Sequence, residues 1–166
     1  MNERIHFNHW TRVDRMMLGR TRTFRDLSDL ALSIMHRMPD GIEMVSGPIS
    51  TGGVGSIEGN RKVFEGIIEL LVIENRLNIF SQMPFEDKMV EFYLAWHAAH
   101  PAEKYCMPIL TDFYERIFST GKVKIIHFIH GWESSYGASW EHENCDRWKI
   151  RRFYLSEMFS RRALEL

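Results

Sequence analysis

Apolar side chains at Phe24, Leu27, Leu30, Ala31, Ile34 and Met35 fall three and four residues apart, which lays one stripe along a helix. Pro39, Asp40 and Gly41 then supply turn chemistry that stops it. Residues 42–46 (IEMVS) read as a short strand that runs into GPISTGGVGSIEGN, a loop with glycines at 47, 52, 53 and 55. Ser56 is a good N-cap, and Ile57, Val63, Phe64, Ile67, Ile68 and Leu71 form the stripe of a second helix. Residues 77–82 (LNIFSQ) read as the next strand, so the segment is a βαβ unit. Helical spacing returns from Glu86 to about Phe118, interrupted near His100-Pro101 and at Pro108. Residues 123–129 (VKIIHFI) are almost continuously apolar, as a strand buried on both faces requires. A loop, HGWESSYGA, leads into a further helix, and residues 150–155 suit an edge strand. The pattern predicts a three-layer α/β fold of the flavodoxin or Rossmann kind, with a parallel sheet of four to five strands and helices on both faces.

Residues 1–40 read as an N-terminal extension plus one helix, ahead of an α/β domain over 41–166. The first 26 residues carry Arg4, Arg12, Arg15, Arg20, Arg22 and Arg25 against three acids. That stretch reads as a solvated surface segment or as an arm that packs on a partner subunit. Over the whole chain, 21 Lys and Arg balance 22 Asp and Glu, so no basic field calls for a nucleic-acid polymer. No apolar run approaches the roughly 20 residues of a membrane span. Two cysteines and no apolar leader point to reduced thiols and a cytoplasmic setting.

In an open parallel sheet, ligands bind beyond the carboxyl ends of the strands. Two loops of unusual composition leave strand ends there: GPISTGGVGS after the first strand and HGWESSYGASWE after the buried one. The first offers backbone N–H groups and hydroxyls ahead of a helix N-terminus, which suits an anion such as a phosphate. It is neither a Walker A loop nor the dinucleotide pattern. The second carries Glu141, a carboxylate that suits nucleophilic or acid–base work or the capping of a helix. The pairs His97/His100 and His127/His130 lack the spacing of a closed zinc site, and Cys145 has no indicated partner as a nucleophile, so no metal or other cofactor is expected. Trp132 and Trp140 flank the second loop, where an indole could wall a ring.

Ser46-Gly47-Pro48 after a strand, followed late in the chain by Ser135-Tyr136-Gly137-Ala138-Ser139-Trp140-Glu141, resembles the nucleoside 2-deoxyribosyltransferase superfamily over residues 42–155. The resemblance implies that Glu141 attacks the anomeric carbon of a sugar. Ser135 stands where the transferases usually carry Asp, which is similar to the branch of nucleoside 5'-monophosphate N-glycosidases. By that resemblance, Ser135, with Ser134, Gly137 and the loop residues Gly47, Ser50, Thr51, Gly52 and Gly53, holds a 5'-phosphate. A hydroxyl donates to a phosphate where a carboxylate would repel it. The branch also implies an acid that protonates the leaving base about 20 residues before Ser135; Glu115 lies there and Asp112 one helical turn earlier. The expected substrate is a small nucleoside or nucleotide, and the expected assembly is a homodimer or larger, with the N-terminal arm and residues 153–159 as contacts. The glycine that follows the Glu in the family is absent here, where His142-Glu143-Asn144-Cys145 stands. A non-catalytic nucleotide-binding or sensing protein on the same fold is the alternative, and a dinucleotide N-glycosidase is the third reading.

Overall fold

A computed structural model of the chain describes residues 1–49, 53 and 55–165. The elements are α1 (Glu3–His6), α2 (Arg12–Arg20), α3 (Phe24–Met35), β1 (Ile42–Ser46), α4 (Ile57–Ile73) and α5 (Glu86–Ala99). A π-helical stretch, Ile109–Tyr114, runs into α6 (Glu115–Phe118), followed by β2 (Val123–Phe128), α7 (Tyr136–Asn144), β3 (Arg151–Tyr154) and α8 (Glu157–Ala163). Short 3-10 turns occupy Met83–Phe85 and Trp132–Ser134.

The strands form one parallel sheet in the order β1-β2-β3, with Ile42 opposite Val123 and Phe128 opposite Tyr154. Alternation along the strands divides the apolar residues between two layers. Ile42, Met44, Ile126 and Phe128 pack with α3, the π-helical stretch and α6. Val45, Ile129 and Leu155 pack with α4 and Ala163 of α8. Helices therefore cover both faces, as the continuous apolar pattern of residues 123–129 requires.

Three strands stand among the described residues, not the four to five expected. Residues 77–82 do run beside β1, where the Glu43 N–H donates to Asn78 O (3.0 Å) and the Phe80 N–H donates to Glu43 O (2.9 Å). Pairing ends after that single bridge. The next acceptor along β1, Val45 O, is taken by the Gln82 side-chain amide at 2.7 Å. Pro84, which has no N–H to offer a ladder, then turns the chain away.

The first 40 residues pack on the rest of the same chain. Leu27, Ile34 and Met35 of α3 are fully buried in the core that holds β1. Capping boxes start α2 (Thr11 with Asp14) and α3 (Thr23 with Asp26). Asp14 is buried and pairs with Arg37, and Arg116 reaches back to Asp29 (2.7 Å).

Gly66 lets α4 and α8 meet. A Cβ there would lie 2.1 Å from the carbonyl oxygen of Ala163. Gly66→Ala is therefore expected to displace α8 and cost about 1–3 kcal/mol, read as a drop in Tm. An unchanged Tm would show that α8 is not seated on α4.

Candidate active site

The carboxyl ends of β1 and β2 open on one edge of the sheet, and the loops leaving them meet there. The Ile129 N–H donates to Ser46 O (2.9 Å), and the Gly53 N–H donates to Ser134 Oγ (3.2 Å), so the two loops are joined. Gly47 is required at the crossing, since a Cβ would stand 2.8 Å from Ile129 Cβ. Between the loops, α4, α5, α7 and the π-helical stretch lies a cavity of about 160 Å³.

Glu141 lines this cavity from α7 and is buried. Its helix is held at both ends. Ser135 is the N-cap, its Oγ accepting from the Ala138 N–H at 3.3 Å, and Arg152 donates to His142 O near the other end (3.0 and 2.8 Å). Burial pushes the Glu141 carboxyl up to about 8; the nearby Ser46 hydroxyl pulls the other way. Among the described residues, Ser46 Oγ, a buried polar atom on the cavity wall, makes no hydrogen bond of full geometry.

Glu86, the first residue of α5, is a second buried carboxyl on the same wall. Burial pushes it up to about 7; Arg61 works against that shift and Asp87 adds to it. Tyr114, in the π-helical stretch, is held well above its ordinary value by burial and then by Glu141 and Glu86, so its hydroxyl stays protonated. Tyr105 is raised for the same first reason, with Glu141 next. Its hydroxyl sits where a Cβ on Gly137 would come within 2.9 Å, so glycine at 137 lets the phenol approach α7. The π-helical stretch brings Ile109 and Tyr114 to the cavity together; such widened turns are frequent at functional sites.

A neighbouring depression of about 580 Å³ is lined by Pro48, Gly53, Asn60, His130, Ser134 and Arg161, among others. Ser134 Oγ, which accepts from Gly53, donates to Gly131 O (2.7 Å).

The sequence-derived site residues sort into four groups. Gly47, Ser135, Gly137 and Glu141 share the first cavity. Gly53 and Ser134 line the second. Ser50, Thr51 and Gly52 lie outside the described residues. Asp112 and Glu115 do not line the cavity that holds Glu141, and Glu115 pairs with Arg147 at 2.9 Å. The sequence reading passed over Glu86, Gln82, Tyr105 and Tyr114. The usable signal was positional, since residues 81–86 leave the carboxyl end of a strand-like segment and so belong to the ligand-binding edge.

Trp132 stacks on His142 (ring centroids 4.1 Å) and Trp140 packs on Trp148 (5.5 Å). Cys145 is buried, which pushes its thiol up to about 11. Among the described residues, no group of three or more His, Cys, Asp or Glu is placed to hold a metal ion. No helix among them is long and apolar enough to cross a membrane. No family model, curated protein or solved structure matches this chain.

Proposed function

We propose that this protein cleaves the N-glycosidic bond of a nucleoside 5'-monophosphate, with Glu141 as nucleophile and Glu86 as the acid that protonates the departing base. The observation that carries the reading is a pair of buried carboxyls, one from α7 and one from α5, on a single cavity at the ligand-binding edge of a parallel sheet. Two carboxyls about one scissile bond are what displacement at an anomeric carbon uses. A Glu141 oxygen attacks C1', the C1'–N bond breaks with its electron pair leaving on the base, and Glu86 gives its proton to that base. Water, or a second base, then attacks C1', passes its proton to Glu86 and frees Glu141. Tyr105 and Tyr114 line the same cavity and feel the charge of Glu141, which with burial keeps both phenols protonated.

In this proposal the 5'-phosphate is held by Ser134 and Ser135 beside Gly53. The resemblance to the nucleoside 2-deoxyribosyltransferase superfamily belongs to the same proposal, as does a doubly wound, flavodoxin-like architecture in which residues 77–82 are a fourth strand reduced to one bridge. So do a cytoplasmic setting and a homodimer, for which exposed Phe153, Tyr154 and Met158 supply an apolar surface.

The test compares kcat/KM for a nucleoside and its 5'-monophosphate, by release of free base, in wild type and Ser135→Asp. Aspartate keeps the N-cap of α7 but sets a negative charge against the phosphate, a repulsion of roughly 1 to 4 kcal/mol. Wild type is expected to favour the monophosphate, and the variant to lose or invert that preference. Equal preference in both removes the phosphate assignment.

A second reading, a nucleotide-binding or sensing module without turnover, is favoured by one observation. With its carboxyl near 8, Glu141 is mostly protonated at neutral pH, and a neutral carboxyl does not attack. Binding of nucleoside monophosphates without release of any base would identify it. A dinucleotide substrate has the least support, because it needs more room than a mononucleotide and the cavity is about 160 Å³.

A further inference from the structure

His6 makes the most buried polar contacts of the N-terminal residues. It is 1% exposed, with Nδ1 2.7 Å from Ser81 Oγ and Nε2 3.1 Å from Glu69 Oε1. Ser81 Oγ also accepts the Met83 N–H (3.3 Å), and Glu69 Oε1 accepts the Asn2 N–H (2.7 Å). One proton arrangement satisfies all four groups: neutral His6 donates from Nε2 to the Glu69 carboxylate, and Nδ1 accepts the Ser81 hydroxyl. Burial favours that neutral imidazole, holding its pKa below the ordinary value against the pull of Glu69. A serine, a histidine and a carboxylate in a row have the membership of a hydrolytic triad. Here the serine is only 5% exposed and its oxygen is committed to the Met83 turn, so the arrangement acts on the fold.

Four residues on, Trp10 grips the other end of the same turn. Its ring centroid lies 5.1 Å from that of Phe85, which is fully buried, and Phe7 packs edge-on against Trp10 at 5.1 Å. Between Ser81 and Phe85 the chain carries Gln82, whose amide donates to Val45 O at 2.7 Å, and directly after Phe85 comes Glu86. Both line the cavity that holds Glu141.

We propose that residues 1–10 are a positioning element for the active-site cavity, in which His6, through Ser81, and Trp10, through Phe85, hold the turn that sets where Gln82 and Glu86 stand. The structural part stands on these contacts alone; its catalytic consequence rests on the reading of Glu86 as the working acid. The element belongs to the part of the chain outside the family resemblance.

The test separates the two ring nitrogens. His6→Gln keeps a donor near Glu69 and removes the acceptor of the Ser81 hydroxyl. His6→Asn keeps an acceptor at the Nδ1 position and gives up Glu69. Each full-length variant is read two ways: by kcat and KM on deoxynucleoside 5'-monophosphates, and by titration of the Glu86 carboxyl followed by carbon NMR. The groups facing Glu86 in that titration are Arg61 of α4, Asp87 of α5 and Tyr114 of the π-helical stretch. His6→Gln is expected to lower kcat by about tenfold or more with little change in KM, since misplacement of a reacting group by about 1 Å is costly. Its Glu86 midpoint is expected to fall toward the ordinary carboxylate range as the turn loosens. His6→Asn is expected to retain the wild-type value of both. A His6→Gln protein that keeps the Glu86 midpoint and kcat, whatever its Tm, overturns the proposal, as does equal loss in both variants. If wild type releases no base from any nucleotide, the proposed activity has failed, and the titration alone decides the positioning role.

Discussion

Glu141→Gln is expected to lower kcat for base release by at least about a hundredfold while making the protein more stable above neutral pH. The first effect follows from removing the attacking oxygen, since covalent catalysis contributes several kcal/mol to the barrier. The second follows from the same burial. A carboxyl whose folded-state pKa is raised to about 8 from an ordinary 4.5 contributes stability that is fully present below about 4.5 and lost as pH rises through about 8. Wild-type Tm should therefore fall between pH 5 and 8.5. Glutamine, neutral at every pH, should flatten that fall, each kcal/mol recovered being worth about 2–4 °C in a chain of this size. Calorimetry at the two pH values and an assay of free base measure both. A variant with most of the wild-type rate removes Glu141 as nucleophile. A variant that is dead and also unfolds early points instead to a structural role.

For Glu86→Gln the expected loss is about 10² to 10⁴-fold on nucleotides whose base needs a proton to leave. A substrate whose base already carries a positive charge and so departs neutral, such as a 7-methylguanine nucleotide, should lose little, because no acid is required. The pH profile carries the same information. With Glu86 near 7 and Glu141 near 8, wild-type kcat/KM should be bell-shaped, with its maximum between those values. The variant should lose the alkaline fall, its residual rate climbing until Glu141 ionises at about 8. Asp112→Asn and Glu115→Gln are the controls. Neither residue lines the cavity, so both variants should keep the wild-type rate and profile. Loss at Glu115 with none at Glu86 would return the acid to the position implied by the family resemblance.

Much of the scaffold was legible in the order of side chains. The stripe from Phe24 to Met35 is α3, the break at Pro39-Asp40-Gly41 precedes β1, and the apolar run at 123–129 contains β2. Periodicity reports which faces will be buried, and burial on both faces of β2 is what drew helices to both sides of the sheet. The position of Glu141 was legible as well, because the first turns of a helix that follows the loop leaving a buried strand stand at the ligand edge. Its titration was not, since that depends on how completely α5, α7 and the π-helical stretch exclude water around it.

Residues 77–82 and 86 show where local pattern stops being informative. The composition of 77–82 suits a strand, yet a competing amide from Gln82 ends the pairing after one bridge, and only the folded chain brings that amide to Val45 O. Glu86 opens a helix with Asp87 beside it, the ordinary place for acids that complement the helix dipole. Nothing in that local sequence distinguishes a solvated cap from a buried acid. The difference is made by burial in a cavity that Tyr114 and Glu141, from other parts of the chain, also line. The first 26 residues likewise read as a solvated surface segment or a basic arm for a partner subunit, because a histidine that ties Ser81 to Glu69 has no signature along the sequence. Sequence by itself determined the class of fold, the edge that would hold a site and one carboxylate at that edge, all of which follow from spacing within single segments. Tertiary structure decided the second carboxyl, the protonation of both and the packing of the N-terminus, because desolvation and contact at those groups are properties of segments that meet only in space.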